Sequence, residues 1–239
     1  MSGLLDLHVH TNASDGLHSP EKVVAMARRL GLQAIAITDH DTLGGLAAGH
    51  AAASAVGLRL IPGVEISTEA DDGAEVHILG YLIAPSDAAL ARALSRYRNA
   101  RLERAQEILA RLEKLGLALS WDHVLNLAEG GAVGRPHIAR ALLEKGYVLS
   151  VPDAFARYLG RGKPAYVPRL KVAPAQAIRL IHEAGGLAAL AHPWEARGLL
   201  PDLVAQGLDG LEVYYTGYEA EMTALLRQLA LEHGLLCTG

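Results

Sequence analysis

Two histidines, His8 and His10, close an apolar run near the start of the chain: Leu4-Leu5-Asp6-Leu7-His8-Val9-His10-Thr11. Side chains alternate along a strand, so His8 and His10 share a face with Asp6 while Leu5, Leu7 and Val9 take the other. Neutral imidazole is the commonest metal ligand, and two of them side by side at the end of an apolar strand suggest a metal site. Similar chemistry recurs downstream. Asp15, His40, Glu65, His77 and His192 each fall at the end of a segment that reads as a strand, or just beyond one. In a parallel barrel those ends gather on one face. Five imidazoles and two carboxylates converging there would be costly to leave unpaired and dry. A His/Asp/Glu set without thiolates suits Mn, Fe or Zn, with Glu65 the natural bridge between neighbouring ions. Two metals ~3.5–4 Å apart clamp the oxygens of an in-line phosphoryl displacement. Each residue also has a plainer reading. His77 suits a core histidine, Asp15 before Gly16 a turn, Asp39 and Asp41 helix caps, and His192 before Pro193 a loop. The repetition at successive strand ends favours the site.

The elements that must position these residues follow a β-α rhythm. Ser19-Pro20-Glu21 opens a helix with Ser19 as N-cap and Pro20 at the first helical position, and Gly31 closes it. Ala34 to Thr38 reads as a second buried strand leading into Asp39-His40-Asp41. An Ala-rich helix from Leu43 to Val56 precedes a third strand, Leu58 to Ile66, with Glu65 at its exit. Asp72-Gly73 marks a hairpin turn before the strand that holds His77. The rhythm then stops. Residues 87–161 carry helical patterns, including a long arginine-rich helix from Leu90 to Leu115 with Arg98 and Arg101, and a helix opened by Gly134-Arg135-Pro136-His137. Rhythm returns with a helix from Pro174, a strand ending at Ala191 before His192-Pro193-Trp194, and a strand Gly210 to Tyr214 holding Glu212. A helix from Glu219 to His233 and a last strand from Leu235 follow. The expected organisation is an α/β barrel over 1–86 and 162–239 with a helical insertion at 87–161.

Composition narrows the class. The chain has 239 residues, 51% of them hydrophobic and only 5% aromatic, which supports a core built mostly from aliphatic side chains. The net charge of -4 argues against bulk nucleic-acid binding. A lone cysteine, Cys237, excludes an internal disulfide and fits a reducing, cytoplasmic setting. No signal peptide and no membrane-spanning run is expected.

With these residues in hand, the chain resembles the polymerase and histidinol phosphatase (PHP) family. The resemblance rests on Asp6-Leu7-His8-Val9-His10-Thr11, Ser14-Asp15-Gly16, Ile37-Thr38-Asp39-His40-Asp41, Pro62-Gly63-Val64-Glu65, Val76-His77-Ile78-Leu79-Gly80-Tyr81 and Ala191-His192-Pro193. It implies a distorted (β/α)7 barrel with up to three divalent metal ions, manganese foremost and iron or zinc as alternatives. The implied ligands are His8, His10, Asp15, His40, Glu65, His77 and His192, with His8, His10, Asp15, Glu65 and His192 at the catalytic centre. The arginine-rich helix and the Gly134-Arg135-Pro136-His137 segment resemble a bacterial subfamily that removes the 3′-phosphate of nucleoside 3′,5′-bisphosphates and in some members degrades short RNA from the 5′ end. That implies a phosphorylated nucleotide as partner and Arg101, Arg135 and His137 as its binding residues. Arginine forks suit phosphate, although arginines on a long helix more often form a solvated face. Histidinol-phosphate hydrolysis and a metal-binding module without turnover are the alternatives. Tyr214 and Tyr215 suit either base stacking or core packing. The family pattern carries a further Ser-Asp-X-His after a final strand. Here the sequence reaches Cys237-Thr238-Gly239 where that motif would begin, so the resemblance implies a C-terminally incomplete barrel.

Overall fold

The computed structural model describes residues 4–128 and 133–239. The chain divides into two compact units, one from residues 1–94 and 171–239, the other from residues 95–170. The first holds seven strands in the order β1 to β7: Leu5–Val9, Ala34–Ile37, Arg59–Glu69, Glu75–Tyr81, Leu187–Leu190, Gly210–Glu212 and Leu236–Thr238. The sheet curls into a half-barrel. Leu7 of β1 donates its backbone N–H to the carbonyl of Gly239, 3.1 Å away, which draws the last residue to the first strand.

Among the described residues, five α-helices lie wholly within this unit. α1 (Pro20–Arg29) starts where Ser19 accepts the Lys22 N–H, with Pro20 at its first position. Gly31 follows it in the left-handed region at φ +78° and donates to the Arg28 carbonyl, the expected stop. α2 spans Leu46–Val56 and ends on Gly57 in the same conformation. The three residues before Leu46 that the Ala-rich pattern suggested as helix form a turn instead, in which Thr42 Oγ1 accepts the Gly44 N–H. α7 (Pro174–Glu183) lies on β4 and β5, burying Ala177, Ile178 and Ile181. α8 (Leu200–Ala205) and α9 (Ala220–Glu232) complete the unit. Its deepest side chains include Ile35, Ile37, Ile66, Ile78 and Leu79, in line with the aliphatic composition.

Three sequence expectations change. The sheet is not all parallel: β4 runs antiparallel to β3, as the hairpin turn at Asp72-Gly73 implies, and antiparallel to β5 as well, while the other neighbouring pairs are parallel. β3 does not end at Ile66 but continues to Glu69, because its distal half pairs with β4 after its proximal half has paired with β2. β1 is only partly buried, with Leu4 and Leu5 more than half exposed, since hydrophobicity alone does not say whether a strand has a covered outer face. The turn between β3 and β4 is a loop from Ala70 to Ala74, closed by the Ala70 N–H to Ala74 O and Gly73 N–H to Ala70 O bonds.

The second unit is helical. α3 (Ala88–Lys114) enters it, and α4 (Trp121–Leu127), α5 (Arg135–Glu144) and α6 (Val151–Ala154) follow, the last running into a π-helical turn at Phe155–Leu159. Its own core includes Ile108, Leu112, Val124, Ile138, Leu142 and Leu159.

Candidate metal centre

Glu65 is the centre of the site. β3 changes partner from β2 to β4 just before it, and its carboxylate is almost fully buried, 1% exposed. Its two oxygens face different histidines. Oε2 lies 2.9 Å from His10 Nε2, 3.2 Å from His8 Nε2 and 3.3 Å from His40 Nδ1. Oε1 lies 2.9 Å from His77 Nδ1 and 3.3 Å from His192 Nε2. Asp15 sits at the rim, 2.8 Å from His10 Nδ1 and 3.8 Å from His40 Nε2. All seven residues read from the sequence therefore meet in one place.

They arrive by different routes. The alternation of β1 puts His8 and His10 on one face, with their Nε2 atoms 3.0 Å apart. His40 follows β2 and makes an isolated parallel bridge with Glu65. His77 does not come from the C-terminal end of a parallel strand. It is the third residue of β4, and because β4 runs the opposite way its beginning lies at the site. His192 follows β5 with φ +30°, a left-handed backbone uncommon for any residue but glycine.

The arrangement fits divalent cations. His8 Nε2 and His10 Nε2 face each other at 3.0 Å, as do His77 Nδ1 and His192 Nε2 at 3.1 Å. No such pair can hold a proton on both nitrogens, so each contact turns at least one lone pair inward. His40 Nδ1 is buried with no hydrogen-bond partner, although Glu65 is near. Separations of ~3 Å are what neighbouring ligand atoms make when each stands ~2.1 Å from a shared ion. Three overlapping groups present one ligand atom per residue within reach of the others: His8, His10 and Glu65; His10, Asp15 and His40; His40, Glu65 and His77.

The electrostatics call for positive charge. Burial raises the pKa of Glu65, but hydrogen bonds from His10, His192, His77 and His8 outweigh it and hold the carboxyl well below its usual range. Burial disfavours the imidazolium of His8 and of His77. Hydrogen bonds to Glu212 and Glu65 nonetheless push His8 up to about 10, and those to Glu65 and Glu75 push His77 up to about 9. His40 goes the other way, lowered to about 4 by its burial.

Two carboxylates support the ligands from behind. Glu212, in β6, is 1% exposed. Its Oε1 is 2.9 Å from His8 Nδ1, and its Oε2 accepts the His192 backbone N–H at 2.5 Å. With Nδ1 donating to Glu212, a neutral His8 would present its Nε2 lone pair to a bound cation. Sequence reading passed over Glu212 as a strand residue; the available signal was a carboxylate inside the apolar run Gly210-Leu211-Glu212-Val213. Asp39 is equally buried. It does not cap a helix but accepts from the Thr11 N–H, Thr11 Oγ1 and Ser14 Oγ, each at 2.7 Å, and so pins the loop that carries His10 and Asp15. α2 has no side-chain cap, and Asp41 accepts from the Ser67 N–H instead.

The expected phosphate-binding residues belong to the helical unit. Arg135 donates to the Leu159 carbonyl and lies over the Phe155 and Tyr166 rings at 5.6 and 5.9 Å. His137 Nδ1 accepts the Gly134 N–H at the start of α5. Arg101 lies in α3. Tyr214 and Tyr215 are not core: they are 51% and 44% exposed and line an open cleft with His8, Glu65 and His192.

Comparison with known proteins agrees with this geometry. The PHP domain model matches residues 6–145. A 5′-3′ exoribonuclease from Salmonella typhimurium is 41% identical over 91% of this chain and 73% of its own. A 3′,5′-nucleoside bisphosphate phosphatase from Chromobacterium violaceum is 35% identical over 97% of this chain and 84% of its own. A solved structure from Bifidobacterium adolescentis, assigned as a metal-dependent phosphoesterase, superposes with a TM-score of 0.83 at 35% identity, covering 98% of this chain and 85% of that one. The histidine cluster around a buried glutamate, the curled sheet that carries it and this likeness along nearly the whole chain have one meaning: the protein belongs to the PHP family of phosphoester hydrolases.

Proposed function

We propose that this protein removes the 3′-phosphate from nucleoside 3′,5′-bisphosphates, and that the same site degrades short RNA from its 5′ end. The observation that carries the reading is Glu65, buried and shared between two sets of imidazoles. Its support comes from the likeness to both an exoribonuclease and a bisphosphate phosphatase. In this reading His8, His10, Asp15, His40, Glu65, His77 and His192 hold up to three divalent ions, manganese foremost. What such ions supply when bound is Lewis-acid charge on phosphoryl oxygens and acidification of water.

The chain's own residues do the rest. Glu65 offers one oxygen to each side of the imidazole cluster. Glu212 orients His8, and Asp39 holds the His10–Asp15 loop through Thr11 and Ser14. Arg101, Arg135 and His137 are the proposed grips on the second phosphate, with the guanidinium fork matching phosphate oxygens. The proposed setting is the cytoplasm, where an exposed, unpaired Cys237 is stable as a thiol. No helix among the described residues is long and apolar enough to cross a membrane.

The test is phosphate release from adenosine 3′,5′-bisphosphate with added manganese, beside a Glu65→Ala control. Release from the wild type that falls at least a thousandfold in the variant is expected. A folded Glu65→Ala protein with wild-type turnover would remove Glu65 from the mechanism.

A further inference from the structure

Aromatic side chains make up only 5% of this chain, yet four of them gather beside the histidine cluster on two neighbouring loops. Tyr214, Tyr215 and Tyr218 follow β6, the strand of Glu212, and Trp194 follows His192 by two residues. The Tyr215 and Tyr218 rings stand 5.0 Å apart at 53°, and Trp194 continues the row 6.3 Å from Tyr218. The Trp194 backbone N–H donates to the Tyr218 hydroxyl at 3.1 Å, which ties the row to the loop that presents His192. Arg197 lies over the Trp194 ring, 4.4 Å from its centroid.

The exposed end of the row faces the site. Tyr214 and Tyr215 line the same open cleft as His8, His10, Glu65 and His192. Apolar ring faces left half in water beside a catalytic cleft are unspent binding area. Both rings lie outside the buried core of this unit, in a cleft lining that they share with Thr238 and Gly239.

We infer that Tyr215, backed by Tyr218 and flanked by Tyr214, is a stacking platform for the nucleobase of the substrate whose phosphate is handled at the Glu65 cluster. The inference rests on the phosphoesterase reading and adds to it the part of the substrate that reads nothing of sequence. A tyrosine face accepts any of the four bases, because each offers a π-face of similar extent. The platform favours a base-bearing phosphoester over a bare sugar phosphate without choosing among nucleotides. On RNA it takes the base of the nucleotide being processed.

The experiment compares two manganese-supported substrates, adenosine 3′,5′-bisphosphate and the abasic ribose 3,5-bisphosphate, in the wild type and in Tyr215→Ala and Tyr215→Phe. The wild type is expected to favour the adenosine compound in kcat/KM by about tenfold or more, with the difference in KM. Tyr215→Ala should bring the ratio close to one, and Tyr215→Phe, which keeps the ring, should restore it. The adenosine, uridine and guanosine bisphosphates should differ by less than about threefold among themselves. In a Trp121→Phe background, which leaves Trp194 as the fluorophore, quenching by adenosine 3′,5′-bisphosphate in metal-free protein should weaken in parallel in Tyr215→Ala. Equal kcat/KM for the two substrates in the wild type overturns the platform and leaves the phosphoesterase reading intact. A ratio unchanged in Tyr215→Ala does the same. Release of phosphate from neither substrate by the wild type overturns the phosphoesterase reading, and the platform falls with it.

Discussion

At the scale of single residues, the clustered histidines depend on carboxylates that hold them in place. Glu212 is the clearest. Removing its carboxylate would leave two part-buried donors, His8 Nδ1 and the His192 N–H, without this partner. A carboxylate behind a ligating histidine fixes the tautomer and the ring, and its loss typically costs 10–100-fold in metal affinity. Glu212→Ala is therefore expected to weaken manganese binding by about that factor, read by competition with a chelating dye. Glu212→Gln, which still offers an oxygen to either donor, should recover part of the loss. Full wild-type affinity in the alanine variant would reduce Glu212 to packing.

Elements set where those residues can be, and β3 is the decisive one. It pairs parallel with β2 through Pro62 and antiparallel with β4 from Gly63 onward. The change of partner happens at Gly63, two residues before Glu65. A β-carbon there would stand 2.8 Å from Thr38 Cγ2, 2.9 Å from the Gly80 carbonyl oxygen and 3.1 Å from that of Ile37. Two of those neighbours are backbone atoms of the adjoining strands and cannot swing aside. Gly63→Ala should destabilise the protein by about 1–3 kcal/mol through forced separation of the strands. The measurement is the urea midpoint, and an unchanged midpoint would mean that the sheet opens there without penalty. Because Glu65 is so close, manganese affinity should fall in the same variant.

At the scale of the whole molecule, the site binds together distant parts of the chain. His8, His40, Glu65, His77 and His192 span most of its length, and each belongs to a different strand or strand exit. Cations shared among them would cross-link the curled sheet in the folded state alone. Ligand linkage then gives about 2.7 kcal/mol of added stability at a free metal concentration one hundred times Kd. For a chain of this size that corresponds to a rise in Tm of roughly 5–10 °C. Calorimetry with manganese and then with excess chelator should show the rise and its reversal. In Glu65→Ala the rise should largely vanish. A Tm indifferent to metal in the wild type would contradict cross-linking by bound cations.

Much of this was legible in the order of residues. The Ser19-Pro20 start and Gly31 stop of the first helix depend on local backbone chemistry, so a few adjacent residues suffice to specify them. Strand alternation places His8 beside His10 for the same reason, and the recurrence of His, Asp and Glu at strand ends points to all seven clustered residues. Tertiary structure decided the rest. The hairpin turn at Asp72-Gly73 already implied that β4 runs antiparallel to β3; that β4 also pairs antiparallel with β5 is settled by packing between segments far apart in sequence. Glu212 and Asp39 acquire their roles only when β6 and the β2 exit come to lie behind His8 and Thr11, partners 204 and 28 residues away. The tyrosines after β6 suit core or cleft equally well in the sequence, since a tyrosine has both an apolar face and a polar tip. Only the folded chain distinguishes them, packing Tyr81 into the core and leaving Tyr214 and Tyr215 lining the cleft.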